Sequence, residues 1–310
     1  MGKLAYVFPG QGSQAVGMLS DLAEASLVTE TFAAASQVLG YDLWALVQNG
    51  PEDQLNQTEF TQPALLTASV ALWRLAMEQG ATVPEIVAGH SLGEYSALVA
   101  AGVIAFEDAV KLVQQRGQFM QTAVPIGQGG MAAVLGVADE QVVEICASAS
   151  TVVDIVQAVN FNSPGQVVIA GSNAALEKAI EALKAAGAKR AMPLSVSAPF
   201  HSEMMRPAAE NMAAALASVD FNTPNINIIQ NVHAQIETDP DAIRGNLVLQ
   251  MHSAVLWTKT VQNLVTDGVD QVVECGPGRV LAGLNKRIDK SISSYSINSA
   301  DTMKSTVAEV

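Results

Sequence analysis

The stretch Gly89-His90-Ser91-Leu92-Gly93 decides the fold expected for this chain. Residues 86–88 before it are apolar and typical of a buried strand, and apolar residues recur after it at helical spacing. A G-x-S-x-G sequence between a strand and a helix predicts a nucleophile elbow, a sharp turn that holds its serine exposed. The alternative is an ordinary glycine-rich turn whose serine caps the helix. In an elbow, Ser91 would be a nucleophile at the edge of a sheet.

Composition limits the classes of function. The 310 residues carry a formal net charge of −14 without a long basic run, which disfavours nucleic acid and membrane as partners. Cys146 and Cys275 offer neither a zinc spacing nor a disulfide framework, so we expect buried, reduced thiols in a cytoplasmic protein. The apolar run 4–8 ends at Pro9, too short for a signal peptide, and no later run approaches membrane-spanning length.

A glycine-rich loop follows the first predicted strand, which spans 4–8. Its glycines at 10, 12 and 17 do not match the dinucleotide-binding pattern G-x-G-x-x-G, and the chain contains no P-loop sequence. Gln11 lies between two glycines, where its backbone N–H is least obstructed. A loop of this kind can bring such a donor beside an elbow serine. A simple tight turn explains the same residues equally well.

Residues 18–79 are predicted to be mostly helical, with breaks at 40, 49–51 and 61–63, and with an apolar helix over 63–77. The following helix, predicted over 106–122, carries Arg116 at the margin of its apolar stripe. A guanidinium there requires an anion or a path to solvent. An internal salt bridge would satisfy it, and so would a substrate carboxylate, which pairs with arginine in a bidentate manner.

The pattern changes after the glycines at 127–130. Four strands and two helices follow in the order β-α-β-β-α-β, at 131–137, 139–148, 152–161, 166–170, 173–186 and 188–196. This order is that of a ferredoxin-like unit. The sequence therefore predicts a small subdomain at 127–197, inserted in a catalytic α/β domain formed by 1–126 and 198–310. A cleft between the two is the expected place for a small-molecule site.

The second part of the main domain carries the remaining elements. We expect strands at 225–232, 269–274 and 291–297, helices at 241–252, 257–266 and 279–288, and a polar tail at the end of the chain. The unit at 269–288, a strand followed by Gly and Pro and then a helix, suits a further parallel strand of the main sheet.

An elbow serine needs a general base, and the chain has four histidines. His90 is a poor base because neighbouring side chains on a tight turn diverge. His201 follows Ser91 in the order of hydrolase triads and lies at the predicted domain junction. Position alone does not exclude His233 or His252. No carboxylate between serine and base is persuasive, so a neutral carbonyl acceptor for the imidazole N–H is an open alternative.

Several motifs together resemble one family. They are FPGQGSQ at 8–14, TQPA at 61–64, the run 89–103, QRG at 115–117, NFNSPG at 160–165, APFH at 198–201 and ECGPG at 274–278. In this order they resemble the malonyl-CoA:acyl carrier protein transacylases, acyltransferases of bacterial fatty acid synthesis, from residue 4 to about residue 300. The resemblance implies an α/β-hydrolase-like core with a mostly parallel sheet and a ferredoxin-like insert.

The resemblance also implies the site residues and their roles. These are Ser91 as nucleophile, His201 as general base, the Gln250 backbone carbonyl that orients His201, the Gln11 and Leu92 backbone N–H groups as oxyanion hole, and Arg116 as the partner of the malonyl carboxylate. His90 and Phe200 would border the substrate, and the bulk of Phe200 would leave little space for an α-methyl branch. The family commonly has proline where Ala254 stands, a departure close to Gln250.

The function that the resemblance implies is a ping-pong transfer. Malonyl-CoA would acylate Ser91, and the phosphopantetheine thiol of acyl carrier protein would then accept the malonyl group, without metal or redox cofactor. One alternative is a serine esterase or thioesterase on the same elbow, which would not depend on a substrate carboxylate. Another is a non-catalytic scaffold for synthase partners.

Overall fold

The computed structural model describes residues 2–125, 127–196 and 198–310. Met1, Ile126 and Ser197, where predicted domain boundaries fall, lie outside the described residues. Within these ranges the strands are, in chain order, β1 (Lys3–Phe8), β2 (Ile86–Gly89), β3 (Gly129–Leu135), β4 (Val156–Ser163), β5 (Gln166–Ser172), β6 (Arg190–Pro193), β7 (Asn227–Ile229), β8 (Ile236–Glu237), β9 (Val269–Cys275) and β10 (Ser293–Ile297).

Helices cover the strands and connect them. They are α1 (Ser26–Leu39), α2 (Leu43–Asn49), α3 (Glu52–Leu55), α4 (Thr58–Glu78), α5 (Gly93–Ala100), α6 (Phe106–Thr122), α7 (Asp139–Ala149), α8 (Asn173–Ala185), α9 (Arg206–Leu216), α10 (Pro240–Gln250), α11 (Trp257–Thr266), α12 (Val280–Ile288) and α13 (Ala300–Glu309). No helix in the described part of the chain combines the length and apolar character that crossing a membrane requires.

The larger sheet has the strand order β10-β9-β1-β2-β7-β8, and its neighbours run parallel except for the pair β7 and β8. β1 lies inside this sheet and is buried on both faces, as its continuous apolar sequence predicts. Tyr6 and Phe8 pack against Trp73 of α4, whereas Ala5 and Val7 belong to the core on the opposite face. The predicted α/β class with a mostly parallel sheet is confirmed.

The smaller sheet is antiparallel, with the order β4-β5-β3-β6. Helices α7 and α8 pack on it and share its separate apolar core. Its edge strand β4 is joined to the main unit by backbone hydrogen bonds: Val255 N–H donates to Val159 O over 2.8 Å, and Phe161 N–H donates to Val255 O over 3.0 Å. These bonds hold the smaller sheet beside the carboxyl ends of the main strands.

The turn after β2 is the predicted elbow. Ser91 has φ of 53°, in the left-handed region, and α5 begins two residues later. The helix returns so closely that a Cβ on Gly93 would overlap the carbonyl oxygen of Phe8, and one on Gly89 would overlap the backbone of Gly93. Both glycines are therefore required for contact between strand and helix.

The helix that contains Pro63 begins earlier than the sequence analysis expected. The predicted break at 61–63 is wrong, because α4 starts at Thr58 and continues through Pro63. A proline inside a helix removes one hydrogen bond and costs about 3 kcal/mol. Nearly every side chain of α4 from Thr61 to Ala76 is buried, and this packing offsets the loss.

Three other predicted elements are corrected. The strand predicted from 152 begins at Val156, because Thr151 and Asp154 form a hydrogen-bonded turn that leaves Val152 exposed. The strand predicted at 225–232 is only β7, and the polar residues after it turn back toward β8. The expected polar tail is the helix α13, whose capping box uses Ser299 with a threonine at the position where glutamate or glutamine is usual.

We predict that a methyl group at the elbow destabilises the fold. Gly93→Ala places carbon against the Phe8 carbonyl, so the free energy of unfolding in urea should fall by about 3 kcal/mol or more. Gly283→Ala on α12 is the matched control, because a Cβ there meets open space. It should raise stability by about 0.5–1 kcal/mol. Equal changes in the two variants would contradict the elbow geometry.

Candidate active site

Ser91 lies at the tip of the elbow, and its backbone is held from the neighbouring strand. Its N–H donates to Oδ1 of Asn231 over 2.7 Å, and Nδ2 of Asn231 donates to the Gly89 carbonyl over 2.6 Å. Asn231 follows β7, which pairs in parallel with β2, so both loops leave the same edge of the sheet. The amide therefore clamps both sides of the turn and keeps Ser91 in its left-handed conformation.

His201 is within hydrogen-bond distance of the serine. Its Nε2 lies 2.7 Å from Ser91 Oγ, and its Nδ1 lies 2.8 Å from the backbone carbonyl of Gln250. A carbonyl only accepts, so Nδ1 carries the proton and Nε2 is free to accept the serine hydroxyl proton. His201 also has a left-handed φ of 63°. This is the geometry of a nucleophile, a base and an orienting acceptor.

The surroundings keep the imidazole of His201 neutral. Burial is the main cause that lowers the pKa of His201 to about 3, and the positive charge of Arg116 lowers it further. The hydrogen bond to Gln250 opposes this shift but does not overcome it. A neutral base is therefore ready to accept a proton over the whole physiological pH range.

Arg116 is a buried cation that contacts the serine. Only 2% exposed, it donates from one terminal nitrogen to Gln62 Oε1 over 2.9 Å and from the other to Gln250 Oε1 over 2.8 Å and Ser91 Oγ over 3.1 Å. No carboxylate of the described residues forms an ion pair with it. Its Nε has no hydrogen-bond acceptor among the residues that the structure describes. The internal salt bridge considered from the sequence is thus absent from the described chain.

Two backbone N–H groups beside Ser91 have no acceptor among the described residues, those of Gln11 and Leu92. The loop carrying Gln11 comes close to the elbow, since a Cβ on Gly10 would lie 2.5 Å from the His90 carbonyl oxygen. Leu92 precedes α5, where backbone N–H groups at a helix start are not used within the helix. Donors of this kind can stabilise an oxyanion.

One cavity of about 130 Å³ brings together predicted residues from separate stretches of the chain: Gln11, His90, Ser91, Leu92, Arg116, Phe200 and His201. Its other walls include Met131, Asn160 and Leu194, which belong to the part of the chain that contains the smaller sheet. The site therefore lies between the two sheets, where the cleft was expected. His90 Nε2 contacts Asn162 Oδ1 at 2.8 Å, and burial lowers the pKa of His90.

The other histidines are engaged elsewhere. His233 bonds with Asn246 and the backbone of Gln235, and Nδ1 of His252 lies 3.6 Å from Glu203. Gln250 ends α10, and the loop after it carries Ala254 in place of proline. The Gln250 carbonyl nevertheless lies 2.8 Å from His201 Nδ1, and Val255, next to Ala254, is bonded to β4.

The sequence analysis assigned no role to three buried polar residues that hold the site: Gln62, Glu94 and Asn231. Gln62 and Glu94 stand inside quoted motifs, so only their hydrogen bonds distinguish them from core positions. Asn231 was assigned to the strand at 225–232. The sequence did contain an indication of its role, because two polar residues directly after a short apolar strand are typical of a site at a sheet edge.

Comparison with known proteins gives a consistent result. The model of the acyl transferase domain matches residues 5–306. A curated relative from Escherichia coli strain K12, named malonyl CoA-acyl carrier protein transacylase, is 54% identical over 304 residues, 98% of each chain.

Solved structures agree. The crystal structure of an acyl carrier protein S-malonyltransferase from Vibrio cholerae has a TM-score of 0.96 and 55% identity, and the match covers 98% of this chain and 99% of that one. A structure of a type II PKS acyl-carrier protein in complex with its malonyl-transacylase contains a chain with a TM-score of 0.97 and 52% identity, over 99% of this chain and 100% of that one.

We predict that His201 makes stability fall in acid. Its folded-state pKa of about 3 lies below the ordinary 6.5, so the stability it contributes is fully present above pH 6.5 and is lost as pH falls toward 3. Between pH 6.5 and 5, the native chain should lose about 2 kcal/mol more than His201→Gln, measured by urea unfolding. Parallel curves would show that His201 binds a proton at its ordinary pKa.

Proposed function

Because the chain belongs to the acyl transferase domain family, we propose that it transfers the malonyl group of malonyl-CoA to the phosphopantetheine thiol of acyl carrier protein. The transfer supplies malonyl units to fatty acid biosynthesis. Relatives that match the chain over its full length carry this activity in their names. Ser91 is the residue that holds the malonyl group between the two thiols.

The observation that carries the substrate assignment is the buried Arg116. An unpaired buried guanidinium is costly, and a carboxylate is the partner that its planar donors fit best. Its contact with Ser91 Oγ at 3.1 Å places any bound anion beside the nucleophile. Malonyl differs from acetyl by one carboxylate, so Arg116 distinguishes the two acyl groups.

Acylation of Ser91 is the first half of the reaction. His201 Nε2 takes the hydroxyl proton as Oγ attacks the thioester carbon of malonyl-CoA. The Gln11 and Leu92 N–H groups stabilise the tetrahedral oxyanion, a contribution of about 10²–10³-fold in rate for one such donor. The C–S bond then breaks, the coenzyme A sulfur takes the proton from His201, and malonyl-Ser91 remains.

Transfer to the carrier protein reverses these steps. The phosphopantetheine thiol gives its proton to His201 and attacks the malonyl ester. The same oxyanion donors act again, and Ser91 leaves as its oxygen regains the proton. Phe200, 7% exposed, and His90 border the acyl group, and the bulk of Phe200 limits the space for an α-methyl branch.

The finer description of the fold is part of this proposal. We assign the main unit, 1–126 with 198–310, to the α/β-hydrolase-like class, which the elbow after a parallel strand supports. We assign 127–197 as a ferredoxin-like subdomain. The order β-α-β-β-α-β and the four-stranded antiparallel sheet support this assignment. A cytoplasmic location suits both the substrate and the free thiols Cys146 and Cys275.

We predict a covalent malonyl-enzyme. Brief incubation with malonyl-CoA should raise the intact mass of the protein by one malonyl group, whereas Ser91→Ala should gain none. The serine esterase alternative would give rapid turnover of simple esters and no stable adduct. The scaffold alternative would give neither. An unchanged mass with malonyl-, acetyl- and methylmalonyl-CoA would rule out the covalent mechanism.

We also predict that Arg116 sets the preference for malonyl. Arg116→Met removes the charged hydrogen bonds to the carboxylate, so the ratio of malonyl to acetyl acylation rates should fall by about 10²-fold. Stopped-time mass spectrometry measures both rates. Arg74→Met is the matched control, since Arg74 packs on Phe106 and bonds to Thr31 away from Ser91. A preference that survives in Arg116→Met would exclude Arg116 as the carboxylate partner.

A further inference from the structure

Glu94 is a buried carboxylate in the first turn of α5, three residues after the nucleophile. It is 1% exposed, and both of its oxygens accept hydrogen bonds. Gln230 Nε2 donates to Oε1 over 2.9 Å, while Oε2 accepts from Gln250 Nε2 over 2.8 Å and from the Asn231 backbone N–H over 3.2 Å. Three donors around one carboxylate stabilise its ionised form. Neither the elbow nor the helix requires an acid at this position.

One branch of this network leads to the base. The side chain of Gln250 lies between opposite charges, since its Nε2 faces Glu94 and its Oε1 accepts from Arg116 over 2.8 Å. If the amide were turned around, its oxygen would face the Glu94 carboxylate and its NH₂ group would face the Arg116 guanidinium. Glu94, opposite Arg116, therefore determines the orientation of the amide. The same Nε2 donates to the Ser91 carbonyl over 3.0 Å. The residue whose backbone holds His201 is therefore anchored through its side chain by Glu94.

The other branch leads to the nucleophile. Asn231 gives its backbone N–H to Glu94, and its side chain clamps Ser91 N–H and the Gly89 carbonyl. One carboxylate thus holds the loop that orients the base and the loop that fixes the elbow. Gln250 is the last residue of α10 and Asn231 follows β7, and both are distant in sequence from α5.

The charges that face Glu94 come from more than one element. Arg116 on α6 favours the ionised form of Glu94. Tyr95, next to Glu94 on α5, is neutral because burial raises the pKa of its phenol. His201, on the loop before α9, is neutral as well. Burial raises the pKa of Glu94 to about 7, while the hydrogen bonds from Gln250, Asn231 and Gln230 oppose the rise. An acid kept in this costly setting is typical of a functional site.

We infer that Glu94 is a positioning residue for the transfer, and that its carboxylate acts through the Gln250 side chain in the place where hydrolase triads have an acid. The inference rests on the proposed function for its reaction, although its geometry concerns only the activation of Ser91. Glu94 touches no reacting atom. It fixes the Gln250 amide, and through it the carbonyl on His201 and the Gln250 contact of Arg116.

The test measures how readily Ser91 reacts with a fluorophosphonate, because this probe needs an activated serine but no malonyl group. In the reaction Ser91 Oγ bonds to phosphorus, fluoride leaves and His201 takes the proton. Glu94→Gln keeps the size of the side chain and removes its charge. We expect its labelling rate to fall by about 10²-fold, the cost of a small misplacement of reacting groups. A rate within twofold of the native chain would overturn the inference.

A double-mutant cycle separates positioning from a general structural effect. Gln250→Met keeps the backbone carbonyl and the volume but removes the amide that joins Glu94 to the site. If Glu94 acts through this amide, the double variant should be no slower than the slower single variant. Losses that multiply would refute action through Gln250. Should Glu94→Gln fail to fold by circular dichroism, Gln250→Met alone decides, with a loss of about 10²-fold expected and a native rate contradicting the inference.

Glu274→Gln is the matched control. Glu274 is also fully buried and accepts backbone N–H groups, from Leu281 and Ala282 at the start of α12. The folded fraction of Glu274→Gln should react with the fluorophosphonate at the native rate. A fall in labelling rate equal to that of Glu94→Gln would refute a specific role for Glu94. Malonyl-CoA adducts are measured in parallel. A native chain that labels but forms no adduct would refute malonyl transfer alone, while the labelling rates would still decide the role of Glu94.

Discussion

The close contact between the start of α5 and the end of β1 is the constraint on which the site depends. Gly93 packs against the Phe8 carbonyl, which leaves no room for a side chain. Because α5 must begin there, the chain turns sharply after β2 and Ser91 takes a left-handed conformation. The same contact places the loop after β1 beside the elbow. The positions of Ser91 and of the Gln11 and Leu92 N–H groups, the proposed nucleophile and oxyanion donors, therefore follow from one packing requirement between backbone atoms.

Amides rather than ion pairs hold the polar groups of the site. Gln62 and Gln250 accept from Arg116, Asn231 bonds to both sides of the elbow, and the Gln250 carbonyl accepts from His201. An amide satisfies a buried charge through hydrogen bonds without neutralising it. Arg116 can thus be buried in a fixed position and still keep the charge that a substrate anion needs. A direct carboxylate partner would have stabilised the guanidinium and removed that capacity.

Local sequence patterns predicted the parts of the site that local backbone geometry creates. The elbow follows from glycine spacing between a strand and a helix. The place of His201 in the chain favoured it without excluding His233 or His252, and the family resemblance assigned it as the base. Contacts between distant elements left no such pattern. Glu94 reads as an ordinary helix residue until Gln250 and Asn231, from remote loops, donate to it. Pro63 indicated a break before the helix because propensity is local, whereas the burial that outweighs it is tertiary. The helix α13 was missed because threonine replaces the usual acid of its capping box.

In the proposed mechanism, the placement of Arg116 beside His201 links substrate recognition to catalysis. The guanidinium charge lowers the pKa of His201 and so weakens it as a base before substrate arrives. On the proposed function, the malonyl carboxylate pairs with Arg116 and offsets that charge. The imidazolium that forms when Ser91 gives up its proton is then less strongly opposed. An acetyl group brings no such anion, so the base stays weak toward acetyl-CoA. Recognition of the carboxylate therefore contributes to the rate of acylation as well as to binding.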